Sequence, residues 1–260
     1  MTPLEEETLI PLAQRMLADY DSNNPGTIFS EGFRLNVSDA WRLQAAVADL
    51  REARGEIIVG FKIGAVCKGN QKLIGLEHPA WGRLWESEQH RDGAMLDRKK
   101  FANPSMEAEF GIILSRDIEP TEASLDHILD SIASVHPVIE IHNFVFRGEA
   151  PHGAELLANN AIHAGVIRGE SVIDPRDDVT TDLKLVYDGK TVDSWDSTKW
   201  PDDYLSAIEW LAQEQANIGK KLEQGNLILT GALGPPIPIE DTTLVELQSS
   251  RLGNVSAKFL

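Results

Sequence analysis

Glu107-Ala108-Glu109-Phe110-Gly111-Ile112-Ile113-Leu114 places two glutamates directly before a run of apolar residues. An apolar run of this length predicts a buried β-strand. Residues two apart on a strand point to the same face, so Glu107 and Glu109 would project side by side. Two adjacent carboxylates repel each other unless water, a proton or a cation lies between them. The pattern therefore fits a cation site, although the solvated face of an edge strand also explains it.

A third glutamate lies in a second apolar segment, Pro137-Val138-Ile139-Glu140-Ile141. A buried carboxylate without a partner is costly, so Glu140 is expected to meet a cation or a basic side chain. Carboxylate oxygens suit Mg²⁺ or Mn²⁺, with water or substrate completing the coordination. We therefore expect Glu107, Glu109 and Glu140 to hold a divalent metal, with a salt bridge to Lys or Arg as the alternative for Glu140.

A lysine in an apolar strand is the second chemical feature. Lys62 lies in Gly60-Phe61-Lys62-Ile63-Gly64, between apolar residues and glycines. Burial favours the neutral form of a lysine, whereas a nearby anion favours the charged form. Lys62 is thus a candidate to bind a carboxylate or to transfer a proton. A lysine that extends from a strand end into solvent explains the same sequence.

Helices are predicted at the start of the chain and strands after it. The first helix is predicted over residues 8–20, and the second begins at Ser38 or Asp39 and ends at Gly55. Two later helices are predicted over 121–135 and 203–219, and Asp188-Gly189 is typical of a tight hairpin. The predicted strands span 56–64, 107–114, 138–141, 164–167, 183–187, 190–192, 226–230 and 255–259.

These elements predict an α+β fold, a mixed, rolled β-sheet with flanking helices. We divide the chain into a helical N-terminal segment, residues 1–55, and a metal-binding β-roll catalytic domain, residues 56–260.

Composition restricts the partners of the chain. Its formal net charge of -17 over 260 residues opposes binding to nucleic acid and to anionic lipid, and suits cations. No apolar run approaches the roughly 20 residues of a membrane helix, and the acidic start does not resemble a secretory signal. Cys67 is the only cysteine, which excludes an intramolecular disulfide and fits a reducing compartment. We expect a cytoplasmic protein with a small-molecule partner and neither a nucleic-acid nor a membrane partner.

The order of several motifs resembles one known family, the 2-hydroxypenta-2,4-dienoate hydratases. With the related 4-oxalocrotonate decarboxylases, these enzymes belong to the fumarylacetoacetate hydrolase superfamily. The resemblance covers about residues 40–260, and the ordered succession of the motifs is more specific than any single one. The motifs are Gly60-Phe61-Lys62-Ile63-Gly64, Gln71, Gly75, Gly82-Arg83-Leu84, Met106-Glu107-Ala108-Glu109-Phe110, Pro137-Val138-Ile139-Glu140-Ile141, Ala158-Asn159-Asn160-Ala161 and Gln224-Gly225-Asn226-Leu227-Ile228-Leu229-Thr230-Gly231.

The resemblance implies a Mg²⁺- or Mn²⁺-dependent lyase, often homo-oligomeric, in aromatic-compound catabolism. Its substrate would be a 2-hydroxydienoate, the enol form of a 2-oxo-4-enoate. A hydratase would add water to the conjugated ketone, whereas a 4-oxalocrotonate-type decarboxylase would use the same enolate stabilisation to release CO₂. The implied metal ligands are Glu107, Glu109 and Glu140, the implied catalytic residue is Lys62, and the implied substrate-binding residues are Lys62, Arg83, Asn160 and Thr230.

Two segments depart from the family. Ala80 stands in His78-Pro79-Ala80-Trp81-Gly82 where the hydratases have an acidic residue, and alanine cannot exchange a proton. Glu140-Ile141-His142-Asn143-Phe144-Val145 replaces an Asp-Ser-Arg-like continuation, which changes the expected pocket wall. These departures leave three alternatives to hydration: decarboxylation, carbon–carbon hydrolysis of an acylpyruvate, and a non-catalytic partner subunit.

Three further residues have two interpretations each. His142 and His163 could serve near the site, for example in a hydrolase, but a lone histidine is more often a hydrogen-bonded core or surface residue. Arg83 follows a glycine and could bind a distal substrate carboxylate, with a solvated arginine as the alternative.

Overall fold

Two β-sheets share one apolar core in the structure. The computed structural model describes residues 3–24, 26–119, 124–143 and 153–260. Within these residues, an eight-stranded sheet and a five-stranded sheet contribute side chains to the same buried cluster. The helices are α1 (Glu6–Asp21), α2 (Val37–Ala53), α3 (Lys68–Leu73), α4 (Leu125–Asp130), α5 (Gly153–Ala158) and α6 (Tyr204–Asn217).

Both sheets are mixed, because each contains parallel and antiparallel strand pairs. In the larger sheet the order is β2-β1-β10-β5-β6-β7-β3, with β11 beside β5, and in the smaller it is β4-β13-β12-β8-β9. The pairs β1–β10, β3–β7 and β4–β13 are parallel, and the other pairs are antiparallel. The strands are β1 (Ile58–Gly64), β2 (Ala80–Trp85), β3 (Gln89–Arg91), β4 (Ala94–Leu96), β5 (Pro104–Leu114), β6 (Ile132–Asn143), β7 (His163–Arg168), β8 (Val179–Tyr187), β9 (Lys190–Trp200), β10 (Leu227–Leu229), β11 (Ile237–Pro238), β12 (Leu244–Ser249) and β13 (Val255–Phe259).

The predicted α+β class with a mixed, curled sheet and flanking helices is confirmed. The Asp188-Gly189 hairpin is confirmed as well. Both residues have positive φ, 47° and 80°, and they connect β8 to β9. Positive φ at both central positions is the type I′ geometry that matches the twist of the flanking strands.

The centre of the larger sheet is the long antiparallel pair of β5 and β6. Both strands have neighbours on both sides, β10 next to β5 and β7 next to β6. Nearly every residue of β5 is buried. A strand covered on both faces is selected for a continuous apolar run, which explains residues 110–114. The charged residues within such a strand must therefore find their partners inside the protein.

The helix predicted over residues 121–135 is wrong in its second half. The helix α4 ends at Asp130, and residues 132–135 begin β6, where Ile132 pairs with Leu114 and Val135 with Ile112. Residues 121–123 lie outside the described part of the chain. Ile128 and Ile132 are four apart, which imitates a helical face, but long-range pairing with β5 decides the conformation of residues 132–135.

The second predicted helix begins slightly earlier than expected. Its N-cap is Asn36, whose side-chain oxygen accepts a hydrogen bond from the Asp39 N–H at 2.8 Å, rather than Ser38 or Asp39 itself. The helix ends next to Gly55, as predicted. The core that α1 and α2 form includes Leu76 and Leu157 from beyond residue 55. The division of the chain at residues 55 and 56 stays a prediction.

None of the helices in the described residues combines the length and the apolar character that crossing a bilayer requires.

A close approach between β1 and β10 makes one glycine a test of the register. A Cβ at Gly60 would lie 1.8 Å from the Leu227 carbonyl oxygen. Gly60→Ala should therefore lower the free energy of unfolding by about 3 kcal/mol or more, the upper end of overpacking costs. Gly69→Ala in α3 is the control, because its nearest neighbour is Cys67 Sγ at 3.9 Å. Urea unfolding measures both, and a Gly60→Ala protein as stable as the control would contradict the β1–β10 pairing.

Candidate metal centre

The pairing of β5 with β6 brings three glutamates together. Glu107 lies directly opposite Glu140 in this antiparallel pair. Glu109 follows Glu107 by two positions and therefore shares its face of the sheet. The exposed fractions are 8% for Glu107, 2% for Glu109 and 0% for Glu140. The three carboxylates that the sequence suggests as metal ligands are thus neighbours in one buried volume.

The end of β10 closes one side of this volume. The Gly231 N–H donates a hydrogen bond to Glu109 Oε2 at 3.1 Å. The Thr230 hydroxyl donates to the Phe110 carbonyl at 3.1 Å, and Thr230 is fully buried. Thr230 therefore fixes the end of β10 against β5. Its hydroxyl is occupied by a main-chain acceptor, and its predicted substrate contact stays a prediction.

Lys62 extends from β1 into the same volume. Its ammonium nitrogen lies 3.2 Å from Glu140 Oε2 and donates to the Ala161 carbonyl at 3.4 Å. Burial alone would lower the pKa of Lys62, but the charges of Glu140, Glu107 and Glu109 outweigh it, and the pKa is raised. The side chain is 3% exposed, so the solvated alternative is wrong, and Lys62 is a buried ammonium group.

His142 follows Glu140 by two positions on β6 and faces the same cluster. Its Nε2 lies 3.1 Å from Glu107 Oε2, 3.2 Å from Glu140 Oε2 and 3.5 Å from Lys62 Nζ. Burial disfavours the imidazolium, but the charges of Glu107 and Glu140 prevail and raise the pKa of His142 to about 9. The sequence contains the signal for this position, since the spacing from Glu140 to His142 repeats that from Glu107 to Glu109.

His163 connects Glu140 to the N-terminal helices. His163 Nδ1 donates to Glu140 Oε1 at 2.8 Å, and its Nε2 faces Glu88 Oε2 at 3.7 Å. Glu88 in turn accepts hydrogen bonds from Arg51 at 2.6 Å and from the Tyr20 hydroxyl at 2.7 Å. The sequence offers no signal for Glu88, because its role depends on a long-range contact between α1, α2 and β7.

Within the described residues, the cluster retains negative charge and unsatisfied oxygen atoms. Burial and the charges of Glu140 and Glu107 raise the pKa of Glu109 well above its usual 4.5. Burial alone would raise the pKa of Glu140, but Lys62 and His142 keep it well below its usual value. Glu109 Oε1 and Glu140 Oε2 have no partner with hydrogen-bond geometry in the described part of the chain. Buried carboxyl oxygens of this kind fit a divalent cation, which would displace the proton of Glu109.

The ligand atoms of one group are close enough for a single ion. Atoms of Glu107, Glu140 and His142 lie within 4.8 Å of one another. Glu109, the third predicted ligand, lies two positions from Glu107 on β5 and interacts electrostatically with Glu140, but it is not part of this group. The structure therefore brings two carboxylates and one imidazole within reach of one ion, with Glu109 and the Lys62 ammonium group beside them.

The structure does not bring Arg83 to this cluster. Across the β1–β2 pair, Lys62 lies opposite Gly82, and Arg83 lies opposite Phe61 on the other face. The Arg83 guanidinium donates to Gln44 Oε1 at 2.5 Å, and burial lowers its pKa to about 10. The solvated alternative is also wrong, because Arg83 is 5% exposed. We therefore do not retain the predicted substrate contact of Arg83.

Asn160 shapes the loop that faces Lys62. Its side chain accepts from the Arg83 N–H at 2.7 Å and donates to the Arg83 carbonyl at 2.8 Å. Asn160, Ala161 and Ile162 all have positive φ, 54°, 49° and 57°. Such left-handed conformations are costly for non-glycine residues, and they persist only where the surroundings hold them. Here they turn the Ala161 carbonyl towards Lys62, so the observed role of Asn160 is to hold the loop.

Comparison with known proteins finds likenesses over the full length of the chain. No protein-family model matches the chain. A 2-keto-4-pentenoate hydratase from Paraburkholderia xenovorans (strain LB400) is 28% identical over 265 aligned positions, which cover 100% of this chain and 96% of the relative. The structure of 4-oxalocrotonate decarboxylase from Pseudomonas putida G7, complexed with magnesium and adipate, is similar with a TM-score of 0.89 at 23% identity and covers 99% of each chain.

A more distant likeness extends to the wider superfamily. A fumarylacetoacetate hydrolase family protein from Yersinia pestis CO92 has a TM-score of 0.56 at 13% identity, over 77% of this chain and 92% of that one. These likenesses agree with the family resemblance of the sequence, since the relative is named a hydratase and the similar folds are those of a 4-oxalocrotonate decarboxylase and a fumarylacetoacetate hydrolase family protein.

Two amide substitutions should separate the roles of the buried glutamates in metal-free protein. Glu140→Gln removes the anion that Lys62, His142 and His163 face, so it should cost about 3–5 kcal/mol of unfolding free energy. Glu109→Gln resembles the protonated carboxyl and keeps an acceptor for the Gly231 N–H, so it should cost less than about 1 kcal/mol at neutral pH. Urea unfolding in EDTA measures the unfolding free energy of both variants. Equal losses in the two variants would contradict the different roles of Glu140 and Glu109.

The free energy of unfolding of the metal-free protein should depend on pH through Glu109, and the direction of this dependence follows from the pKa shift. Because the pKa of Glu109 is raised from 4.5, the folded state keeps a proton that the unfolded chain releases above about that pH. The contribution of Glu109 to the free energy of unfolding is therefore largest below 4.5 and decreases as pH rises towards the folded-state pKa. Glu109→Gln should remove this decrease, and unfolding curves at several pH values in EDTA test it.

Proposed function

We propose that the chain is a divalent-metal-dependent lyase that acts on a 2-hydroxydienoate or its 2-oxo-4-enoate form, with hydration as the principal reaction. One observation carries the proposal: Glu107, Glu109 and Glu140 form a buried cluster beside Lys62. The chain that contains this cluster is similar over its full length to a hydratase. Burial of three carboxylates is costly unless a partner offsets their charge. A bound cation would do so and would in turn bind an anionic substrate.

The proposed metal ligands are Glu107, Glu109 and Glu140, and the proposed ion is Mg²⁺ or Mn²⁺. The fit rests on the unsatisfied oxygen atoms of Glu109 and Glu140 and on the preference of these ions for carboxylates. When bound, such an ion supplies Lewis-acid stabilisation of negative charge on the 2-oxygen of the substrate. The protein contributes a buried volume in which such electrostatic stabilisation is stronger than in water.

Lys62 is the proposed catalytic residue. Its ammonium group is buried and its pKa is raised, so it remains charged while the site is closed to water. A fixed positive charge beside the metal ligands attracts the substrate carboxylate and holds it at one end of the site. The three Nζ protons face Glu140, the Ala161 carbonyl and His142 Nε2, so a developing enolate would receive a proton by taking the place of one of these partners.

Decarboxylation is the second candidate, and Ala80 favours it. Ala80 is fully buried at the start of β2, where it pairs with Gly64, so this position supplies no proton. Loss of CO₂ needs electron withdrawal towards the 2-oxygen, whereas addition of water needs an additional group that activates the water. An activated water from a histidine next to a glutamate would instead support acylpyruvate hydrolysis, and the His163–Glu88 approach keeps that alternative open.

We also propose that the enzyme is cytoplasmic and homo-oligomeric. The single cysteine fits a reducing compartment, and the oligomer is an expectation from the family resemblance. Light scattering of the purified chain measures the oligomeric state, and fractionation of cells tests the cytoplasmic location.

Substrate assays with the Mn²⁺-loaded protein separate the candidate reactions. 2-Hydroxypenta-2,4-dienoate should lose its dienol absorbance and gain one molecule of water, as measured by absorbance and mass spectrometry. 4-Oxalocrotonate should release CO₂ if decarboxylation is the reaction, and an acylpyruvate should be cleaved only by a hydrolase. Metal binding without turnover of any of the three compounds would leave the non-catalytic partner subunit and exclude the proposed lyase.

A substitution at Lys62 tests its role separately from metal binding. Lys62→Met should lower kcat/KM at least about 100-fold, the lower range for loss of a proton-transfer group. Metal affinity should be kept or increased, because a positive charge next to the ion is removed. Lys72→Met, at an exposed lysine of α3, is the matched control and should leave kcat/KM unchanged. Unchanged kcat/KM in Lys62→Met would exclude Lys62 from the chemistry.

A further inference from the structure

The imidazole of His142 stands where a metal ligand would stand. Its Nε2 lies 3.1 Å from Glu107 Oε2 and 3.2 Å from Glu140 Oε2. In an octahedral site with metal–ligand distances of about 2.1 Å, adjacent ligand atoms are about 3.0 Å apart. His142 Nε2 therefore has the spacing of an adjacent ligand from each of these two oxygens, and the ligand atoms of the three residues lie within 4.8 Å of one another.

The strand fixes this position of the ring. His142 follows Glu140 by two positions on β6, so both side chains leave the same face. Its Nε2 faces two carboxylate oxygens, while its Nδ1 has no hydrogen-bond partner in the described part of the chain. Both carboxylate oxygens lie on the Nε2 side of the ring. Nε2 therefore carries either a proton or a metal ion. Within the described residues, nothing supports the charge of an imidazolium from the Nδ1 side.

The second buried histidine has a different place. His163 Nδ1 donates to Glu140 Oε1, the oxygen atom that is not shared with His142 and Lys62. A histidine in this position orients a carboxylate ligand from behind and leaves the other oxygen for the metal. The two imidazoles therefore divide the two oxygens of Glu140 between them.

We propose that His142 Nε2 is a protein ligand of the metal, so that the centre is a mixed nitrogen–oxygen site that takes a first-row transition ion such as Mn²⁺ or Fe²⁺ in preference to Mg²⁺. Imidazole is a ligand of transition ions, whereas Mg²⁺ is bound by carboxylates, carbonyls and water. This inference rests on the proposed metal-dependent function and specifies the ligand set of that site. It adds a nitrogen donor to the three glutamates implied by the family resemblance.

A metal-free arrangement is the rival explanation. Lys62 and a protonated His142 would then neutralise part of the charge of Glu107, Glu109 and Glu140 by themselves. In that case added metal would not bind at the cluster, or would bind without contact to the imidazole. An experiment that detects the nitrogen directly therefore separates the two explanations.

Electron spin echo spectroscopy of Mn²⁺ bound to the full-length protein is that experiment. We expect a nitrogen coupling to the ion that changes when histidine alone is labelled with ¹⁵N. The coupling should be absent in His142→Gln and present in His163→Gln. His136→Gln is the control on the same strand, since its ring binds Ser134 and the Gly169 carbonyl. If a substituted protein does not fold, the labelled wild-type protein still tests the inference, because bound Mn²⁺ without a histidine coupling overturns it.

Affinities provide a second readout that does not depend on activity. His142→Gln should weaken Mn²⁺ binding by at least about tenfold, since loss even of a group behind a ligand costs about 10–100-fold. Mg²⁺ binding should weaken less, so the ratio of the two dissociation constants should move towards one. Calorimetry with each metal alone measures this, with His136→Gln unchanged for both ions.

The outcomes distinguish this inference from the proposed function. Bound Mn²⁺ without histidine coupling would overturn the ligation by His142 and leave the three-glutamate site and the lyase in place. No binding of Mn²⁺ or Mg²⁺ to the wild-type protein would overturn both. Coupling that persists in His142→Gln and disappears in His163→Gln would assign the nitrogen to His163 and overturn the inference.

Discussion

Three carboxylates share a buried volume with one buried lysine, and the rest of the structure is arranged around this electrostatic problem. Each carboxylate is nearly or fully inaccessible to water, so solvent cannot screen their mutual repulsion. Glu140 lies at the centre, because Lys62, His142 and His163 all contact it. One ammonium group cannot balance three negative charges, so the site holds extra protons or a cation. Protons occupy this role in the metal-free protein, and a divalent ion can replace them.

This requirement links the site to the fold. Glu140 and Glu107 are opposite each other because β5 and β6 pair in one register, and a slip of one residue by either strand would turn its glutamate to the other face. Beyond Glu140, the contacts continue through His163 and Glu88 to Arg51 in α2 and Tyr20 in α1. The N-terminal helices are therefore held partly by charges that also orient the proposed ligand. A buried polar network of this kind stabilises the protein only when all its members are satisfied.

Local sequence was sufficient for the strand β5, the hairpin at Asp188-Gly189 and the α+β class, because each depends on periodicity or on φ preferences that neighbouring residues encode. It also suggested the three glutamates and Lys62 as one site, with help from the order of family motifs. It was insufficient at residues 132–135, where the spacing of Ile128 and Ile132 imitates a helix but pairing with β5 prevails. It was equally insufficient for Arg83 and Glu88, since the register of β1 with β2 and a contact between distant elements decide where those side chains point.

The departures from the family have a joint chemical consequence. Ala80 offers no proton-exchanging group at its position, and His142 adds an imidazole to the glutamate cluster. If that imidazole binds the metal, its lone pair is occupied and it cannot act as a base. Outside the ligand set, His163 is held by Glu140 Oε1 and Lys62 faces Glu140 Oε2, on the side of the proposed metal, so carboxylate binding and proton transfer depend on one ammonium group. A reaction that needs enolate stabilisation and one proton suits such a site better than one that also needs an activated water, which is the physical argument for considering decarboxylation beside hydration.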